Sequence, residues 1–278
     1  MALPASLSPS CTPLDDVLAA ARAQSRAALA TYLPVGYPDP VTGMDALHQL
    51  AHSADIVELG VPHTHPVLDG PVIQAAVAQA LTNGFHMRDL FTTTQALTAS
   101  STAALVVMSY WAPIARYGPA DFARHLAAAG GSGVLIPDLP SSAATTWRET
   151  ARAAGLHTIP LIPPHASAAR LTAIGAVHSG MAYAPATPGT TGASRPLSPY
   201  LPRLVRRVRE ATGLPVAVGI GISTPEKAIQ ASAYADTVVV GSAVIRRMHT
   251  HRDDPAAAAA AAAYDFADAV RSIRRPAA

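Results

Sequence analysis

Eight short apolar runs rich in β-branched residues recur along this 278-residue chain: Ala28–Val35, Ile56–Val61, Ala104–Trp111, Gly133–Leu139, Thr158–Ile162, Gly180–Ala184, Pro215–Ile222 and Thr237–Ile245. Between them lie alanine-rich segments with helical spacing of apolar residues, such as Gly43–Ala51, Val72–Leu81, Phe122–Ala129, Ala143–Ala154 and Pro225–Ala233. Ser223-Thr224-Pro225-Glu226 marks a helix start, with a hydroxyl cap and proline in the first turn. The runs are continuously apolar rather than alternating, as strands covered on both faces must be. Strands alternating with helices predict an all-parallel sheet, either a closed barrel or an open doubly wound sheet. The count of eight, and the clustering of polar residues at the C-terminal ends of the runs, select the α/β class with a single (β/α)8 TIM barrel, which typically takes about 250 residues.

No composition break or long linker divides the chain, so it reads as one domain. Residues 1–27 form an N-terminal extension with an extra helix over Leu14–Ala23 that caps the barrel floor. Residues 28–246 form the barrel core, and 247–278 a C-terminal helix that includes the polyalanine run Ala256–Ala263. That run is too short to span a bilayer. Hydrophobic residues make up 50% and charged residues 14%, which excludes a disordered chain. A net charge of +2 exerts no strong pull on nucleic acid or an anionic membrane. The single cysteine, Cys11, excludes an internal disulfide and any zinc pattern built on paired cysteines. With no signal peptide to read at the N-terminus, a cytoplasmic protein is expected.

Glu58 stands inside the apolar run Ile56-Val57-Glu58-Leu59-Gly60. Burial there is costly for a carboxylate and raises its pKa, which suits proton transfer near neutral pH; a structural ion pair inside the barrel would use the same position. Asp69, in Leu68-Asp69-Gly70-Pro71, lies just before a helix. It is ordinary turn or cap chemistry when taken alone, and a second carboxylate at the top of strand two when taken with Glu58. Three backbone-rich spots suit a phosphate: Gly189-Thr190-Thr191-Gly192 after strand six, Gly219-Ile220-Gly221-Ile222-Ser223 on strand seven, and Gly241-Ser242 on strand eight. Thr187–Pro196 reads as a lid loop. His63-Thr64-His65 has the spacing of a zinc pair, with His165 ending strand five on the same face. With no clear further ligand at other strand ends, the reading is no metal, and histidines that pack against a substrate or lid. His249-Thr250-His251 reads as a solvated turn. Tyr32, in strand one, and Tyr110 and Trp111, ending strand three, suit either the core or a pocket for a flat apolar ring.

The run Ala54-Asp55-Ile56-Val57-Glu58-Leu59-Gly60-Val61-Pro62, with Pro66 and Asp69-Gly70-Pro71-Val72-Ile73-Gln74 at this spacing, resembles the signature of the tryptophan synthase alpha chain family. The resemblance extends from about Thr31 to Arg246 and includes Met108-Ser109-Tyr110, Pro137-Asp138-Leu139-Pro140 and Gly241-Ser242-Ala243. It implies retro-aldol cleavage of indole-3-glycerol phosphate to indole and glyceraldehyde 3-phosphate. Glu58 would handle protons, and Asp69 would hold the indole N–H and stabilise the cationic ring. Tyr183 would lie near the glutamate. Gly192, Gly221, Gly241 and Ser242 would cradle phosphate, with Tyr32, Tyr110 and Ile220 lining the indole pocket. No cofactor is implied, because the substrate ring is the electron sink, and the implied partner is a pyridoxal-phosphate (PLP) beta subunit. The chain departs from the family where His63-Thr64-His65-Pro66 replaces a usual Phe-Ser-Asp-Pro, and at Thr187, Pro188, Ala112 and His165. Several of these positions belong to the subunit contact of the family. The alternatives are a free-standing lyase of specialised metabolism, a weakly catalytic homologue that serves as a protein partner, and a related aldol substrate touched by His63 and His65.

Overall fold

The computed structural model describes residues 11–163, 165–186 and 196–275. The strands are β1 (Ala28–Pro34), β2 (Ile56–Gly60), β3 (Ala104–Met108), β4 (Gly133–Leu135), β5 (His157–Ile159), β6 (Ala182–Pro185), β7 (Val216–Gly219) and β8 (Thr237–Val240). The helices are α1 (Pro13–Ala23), α2 (Pro40–Ser53), α3 (Pro71–Thr82), α4 (Met87–Ser100), α5 (Trp111–Tyr117), α6 (Pro119–Ala128), α7 (Ser141–Ala153), α8 (Ala168–Gly175), α9 (Leu201–Thr212), α10 (Pro225–Ser232), α11 (Ser242–Thr250) and α12 (Pro255–Arg271). All strand pairings are parallel, in the order β5-β4-β3-β2-β1-β8-β7-β6. The ends of this sheet meet just past β5: Ile162 N–H donates to the Tyr183 carbonyl at 2.8 Å, and Tyr183 N–H to the Pro160 carbonyl at 2.9 Å. The result is the expected eight-stranded barrel.

Strand alternation decides what faces the interior. Ala28, Ala30, Ile56, Ala104, Val106, Leu135, Ile159, Ala217 and Val239 form an inner cluster, and Leu14 of α1 packs into the same cluster. Their alternate neighbours, among them Leu29, Leu33, Val57, Leu59, Leu105 and Val107, pack outward in the cluster shared with the helices. The N-terminal helix therefore plugs the barrel floor. A polar knot fastens it there. His157, at the start of β5 and 2% exposed, bridges Asp15 Oδ2 at 2.9 Å, Thr12 Oγ1 at 3.0 Å and Ser179 Oγ at 3.0 Å.

Helix starts follow local chemistry. Asp39 accepts hydrogen bonds from Val41 and Thr42 N–H ahead of α2, Thr224 accepts from Lys227 N–H ahead of α10, and Asp254 from Ala257 N–H ahead of α12. Proline occupies the first turn in all three. The polyalanine run lies inside α12, whose small side chains allow it to pack closely on α2.

Several strand boundaries read from the sequence are corrected. The third strand stops at Met108, and Trp111 begins α5, with its N–H held by Asp138 Oδ1 at 2.7 Å. The eighth stops at Val240, because Gly241 turns the chain into α11. Ser242-Ala243-Val244-Ile245 continues the apolar run without a break, and a short apolar run has no periodicity that separates strand from helix. The helix that starts at Ser242 runs on through His249 and Thr250, which close α11 rather than form a turn. The fifth strand ends at Ile159, and His165 lies in an exposed turn beyond it. Among the described residues no helix is long and apolar enough to cross a membrane.

Candidate active site

The C-terminal end of the barrel holds a cavity of about 680 Å³, including its open mouth. Glu58 enters it because Ile56 and Glu58 share the inward face of β2, in register with Tyr32 on β1. Glu58 is 6% exposed, and no cation among the described residues pairs with it, so the ion-pair reading falls away. Burial, with a further push from the nearby Asp69, raises its carboxyl to about 8.

Asp69 reaches the same cavity from the end of the loop that joins β2 to α3. It is not the helix cap; Gly70 takes that position. The loop is held by Asp69 N–H on the Pro66 carbonyl at 3.1 Å, and by the Gln74 amide on the Asp69 carbonyl at 2.7 Å. Burial raises the Asp69 carboxyl to about 6, against the lowering effect of a hydrogen bond that Tyr110 Oη donates to Oδ2 at 3.3 Å. The same Tyr110 oxygen accepts the Leu68 N–H at 3.0 Å.

Two glycines make room for the other tyrosines. A Cβ at Gly60 would collide with the Tyr32 ring and hydroxyl, and one at Gly219 with those of Tyr183. Burial holds the Tyr32 and Tyr183 phenols well above their ordinary pKa, so both stay protonated and can act as donors. The walls between these polar groups are apolar, with Leu68, Met108, Leu135, Leu161 and Ile220 among them.

Opposite the carboxylates, the turn after β7 places Ile220 at φ 48° and Gly221 at φ 109°; left-handed backbone at a non-glycine residue is uncommon and gathers at functional sites. Lys227 braces this turn, with its amine 2.9 Å from Ser223 Oγ and 3.4 Å from the Gly221 carbonyl. Gly241 and Ser242 line the cavity at the start of α11, whose first-turn N–H groups lack intrahelical acceptors.

The fold thus gathers Glu58, Asp69, Tyr32, Tyr183, Ile220, Gly221, Gly241 and Ser242 around one cavity, with Tyr110 attached through Asp69. Thr191 and Gly192, with most of the expected lid, lie outside the described residues. Tyr110 and Trp111 do not end a strand; Tyr110 precedes α5, and Trp111 turns toward Trp147, with ring centroids 6.1 Å apart. Among the described residues no group of three or more His, Cys, Asp or Glu is arranged to hold a metal ion. The tie from Tyr110 to Asp69 and the brace of Lys227 were not read from the sequence. The first joins positions 41 apart, and no spacing rule announces it.

The model of the tryptophan synthase alpha chain family matches residues 18–272. The chain belongs to the tryptophan synthase alpha chain family. The tryptophan synthase alpha chain of Streptomyces coelicolor is 43% identical over 261 residues, covering 93% of this chain and 96% of that protein. That of Acidothermus cellulolyticus is 42% identical, with 94% and 98% covered. Among solved structures, tryptophan synthase of Mycobacterium tuberculosis superposes with a TM-score of 0.87 at 38% identity, covering 94% of this chain and 99% of that one. The alpha subunit from Legionella pneumophila gives 0.84 at 31% identity, with 95% and 100% covered. As a member of this family the chain is a lyase of tryptophan biosynthesis, and the matches support none of the alternative readings.

Proposed function

We propose that the chain cleaves indole-3-glycerol phosphate by a retro-aldol reaction. The observation that carries this reading is a pair of buried carboxylates, raised to about 8 and about 6, that share one apolar cavity. Between these values Glu58 holds a proton while Asp69 is ionised, so one cavity presents both an acid and an anion.

In the proposed sequence the indole ring lies between the apolar walls, with its N–H on Asp69. Glu58 gives its proton to C3, and the ring becomes a cation that the Asp69 carboxylate stabilises. Glu58 then takes the proton from the hydroxyl on the glycerol carbon attached to C3. The C–C bond breaks, its electron pair returns to the ring, and indole and glyceraldehyde 3-phosphate separate. Each proton is accounted for at Glu58, and the ring itself is the electron sink, so the residues can carry the reaction without a cofactor. Tyr183 keeps a protonated phenol near Glu58, and Tyr32, Tyr110 and Ile220 shape the ring site. The first-turn amides of α11, with Gly221, Gly241 and Ser242, suit the phosphate. Thr191 and Gly192 are proposed for the same cradle.

Indole is apolar and useful only to an enzyme that consumes it, which supports a PLP-dependent beta subunit as partner. Nothing about the site calls for nucleic acid or a membrane, and a cytoplasmic location is in keeping with the pathway. The test is indole release from indole-3-glycerol phosphate by the purified protein, alone and with a beta subunit. Turnover that rises on adding the subunit is expected. No turnover under either condition would overturn the assigned reaction.

A further inference from the structure

His63 lies half-buried near the start of the loop that ends in Asp69, outside the lining of the cavity. Its ring packs on Tyr110, with centroids 5.5 Å apart and planes at 36°. Tyr110 is 2% exposed, and its hydroxyl holds both the Asp69 carboxylate and the Leu68 N–H. The loop is therefore clamped at its far end by the phenol that its near end covers. At 3.3 Å the O–H···O contact to Asp69 is longer than the usual 2.7–2.8 Å or so, and a small rotation of the Tyr110 ring would break it.

We infer that His63 is a positioning residue for Asp69, acting through the ring of Tyr110. The inference rests on the reading of Asp69 given above as the anion beside the indole N–H.

The groups around His63 fix the form in which it packs. His65 lies beside it on the same loop, with ring centroids 5.9 Å apart and its own Nδ1 2.9 Å from Thr64 Oγ1. Asp138 faces it from the loop after β4, and Arg116 from α5. Burial, then His65 and Arg116, disfavour the imidazolium, and Asp138 opposes them; the net effect holds the pKa below its ordinary value. Near neutral pH His63 is thus an uncharged aromatic plate against Tyr110, a part that phenylalanine can also play. Asp69 in turn is faced by Glu58, Tyr32, Tyr110 and Tyr183. Of these, Tyr110 alone donates a described side-chain hydrogen bond to its carboxylate, and that bond favours the ionised form.

The test follows the Asp69 carboxyl by NMR on protein carrying ¹³C-labelled aspartate, the signal being assigned with Asp69→Asn. Tyr110→Phe should raise the titration midpoint of Asp69 by several tenths of a pH unit. His63→Ala and His63→Gln should raise it in the same direction, and His63→Phe should restore the wild-type value. In the double variant His63→Ala/Tyr110→Phe the shift should be no larger than in Tyr110→Phe alone. A midpoint unmoved by loss of the His63 ring, or additive shifts, would overturn the inference. With indole-3-glycerol phosphate, His63→Ala should lower kcat about 3- to 10-fold with little change in KM, and His63→Phe should recover it. If the wild-type protein does not cleave this substrate, the reading of Asp69 fails, while the titration still decides whether His63 positions it.

Discussion

The phenol of Tyr183 on β6 lies across Gly219 on β7, in the space that a side chain at Gly219 would fill. Gly219 is ordinary strand, so glycine is needed there for room and not for backbone freedom. Gly219→Ala should therefore destabilise the protein by roughly 1–3 kcal/mol, the usual cost of overpacking. It should also push the Tyr183 hydroxyl away from Glu58. Urea unfolding and indole release measure the two effects. A variant as stable and as active as wild type would show that the ring yields without cost.

Glu58→Gln removes the proposed proton carrier and keeps the shape. Cleavage of indole-3-glycerol phosphate should fall by about 10²- to 10⁴-fold, the range typical of lost general acid–base catalysis. The circular dichroism spectrum and unfolding cooperativity should be unchanged. In the wild type, kcat/KM should trace a bell, falling below about 6 as Asp69 gains a proton and above about 8 as Glu58 loses one. These limbs report the pair as a unit. A profile flat from 5 to 9 would remove both carboxylates from the chemistry.

The same raised values make stability depend on pH, with a definite sign. Glu58 binds its proton more tightly in the folded state, about 8, than its ordinary 4.5. Its contribution is complete below about 4.5 and is lost as pH rises through about 8; Asp69 acts likewise between 3.8 and about 6. Each proton taken up on folding steepens the decline by at most about 1.4 kcal/mol per pH unit. Glu58→Gln cannot lose a proton, so its stability relative to wild type should climb between pH 5 and 9. Urea midpoints at the two pH values are sufficient, and a constant difference would mean that Glu58 titrates normally.

A negative charge at the start of α11 should act on the substrate and spare the fold. Ser242→Asp places a carboxylate where the phosphate is proposed to sit, while an acidic residue in the first turn suits the helix dipole. KM should rise at least 10-fold with the melting temperature maintained. Gly221 is the poorer probe, because its φ of 109° makes any side chain there strained. An unaltered KM in Ser242→Asp would move the phosphate elsewhere.

The barrel was legible in the sequence because strands buried on both faces must be apolar throughout, and eight such runs leave little choice. Glu58 was legible as an acidic residue in the middle of such a run, between Val57 and Leu59. Asp69 was legible only by its neighbourhood, since Asp-Gly before a helix is ordinary turn chemistry. What escaped was of two kinds. The starts of α5 and α11 were hidden because large apolar residues, Tyr110 and Trp111 in one case and Val244 and Ile245 in the other, carry the run past the strand end, and tertiary anchors such as the Asp138 carboxylate decide where the helix begins. Contacts across the fold were hidden altogether. Nothing near Asp15 in the chain points to His157, 142 positions on, or from Asp69 to Tyr110.

The barrel closes where Tyr183 exchanges backbone hydrogen bonds with Pro160 and Ile162, and the same residue turns its phenol into the cavity. The cylinder accordingly has a seam, and the seam passes through the wall of the proposed site. A substrate that tilts the Tyr183 ring pulls on the join itself, so the wall between β5 and β6 is where the occupancy of the cavity can be felt as strain on the outside of the protein.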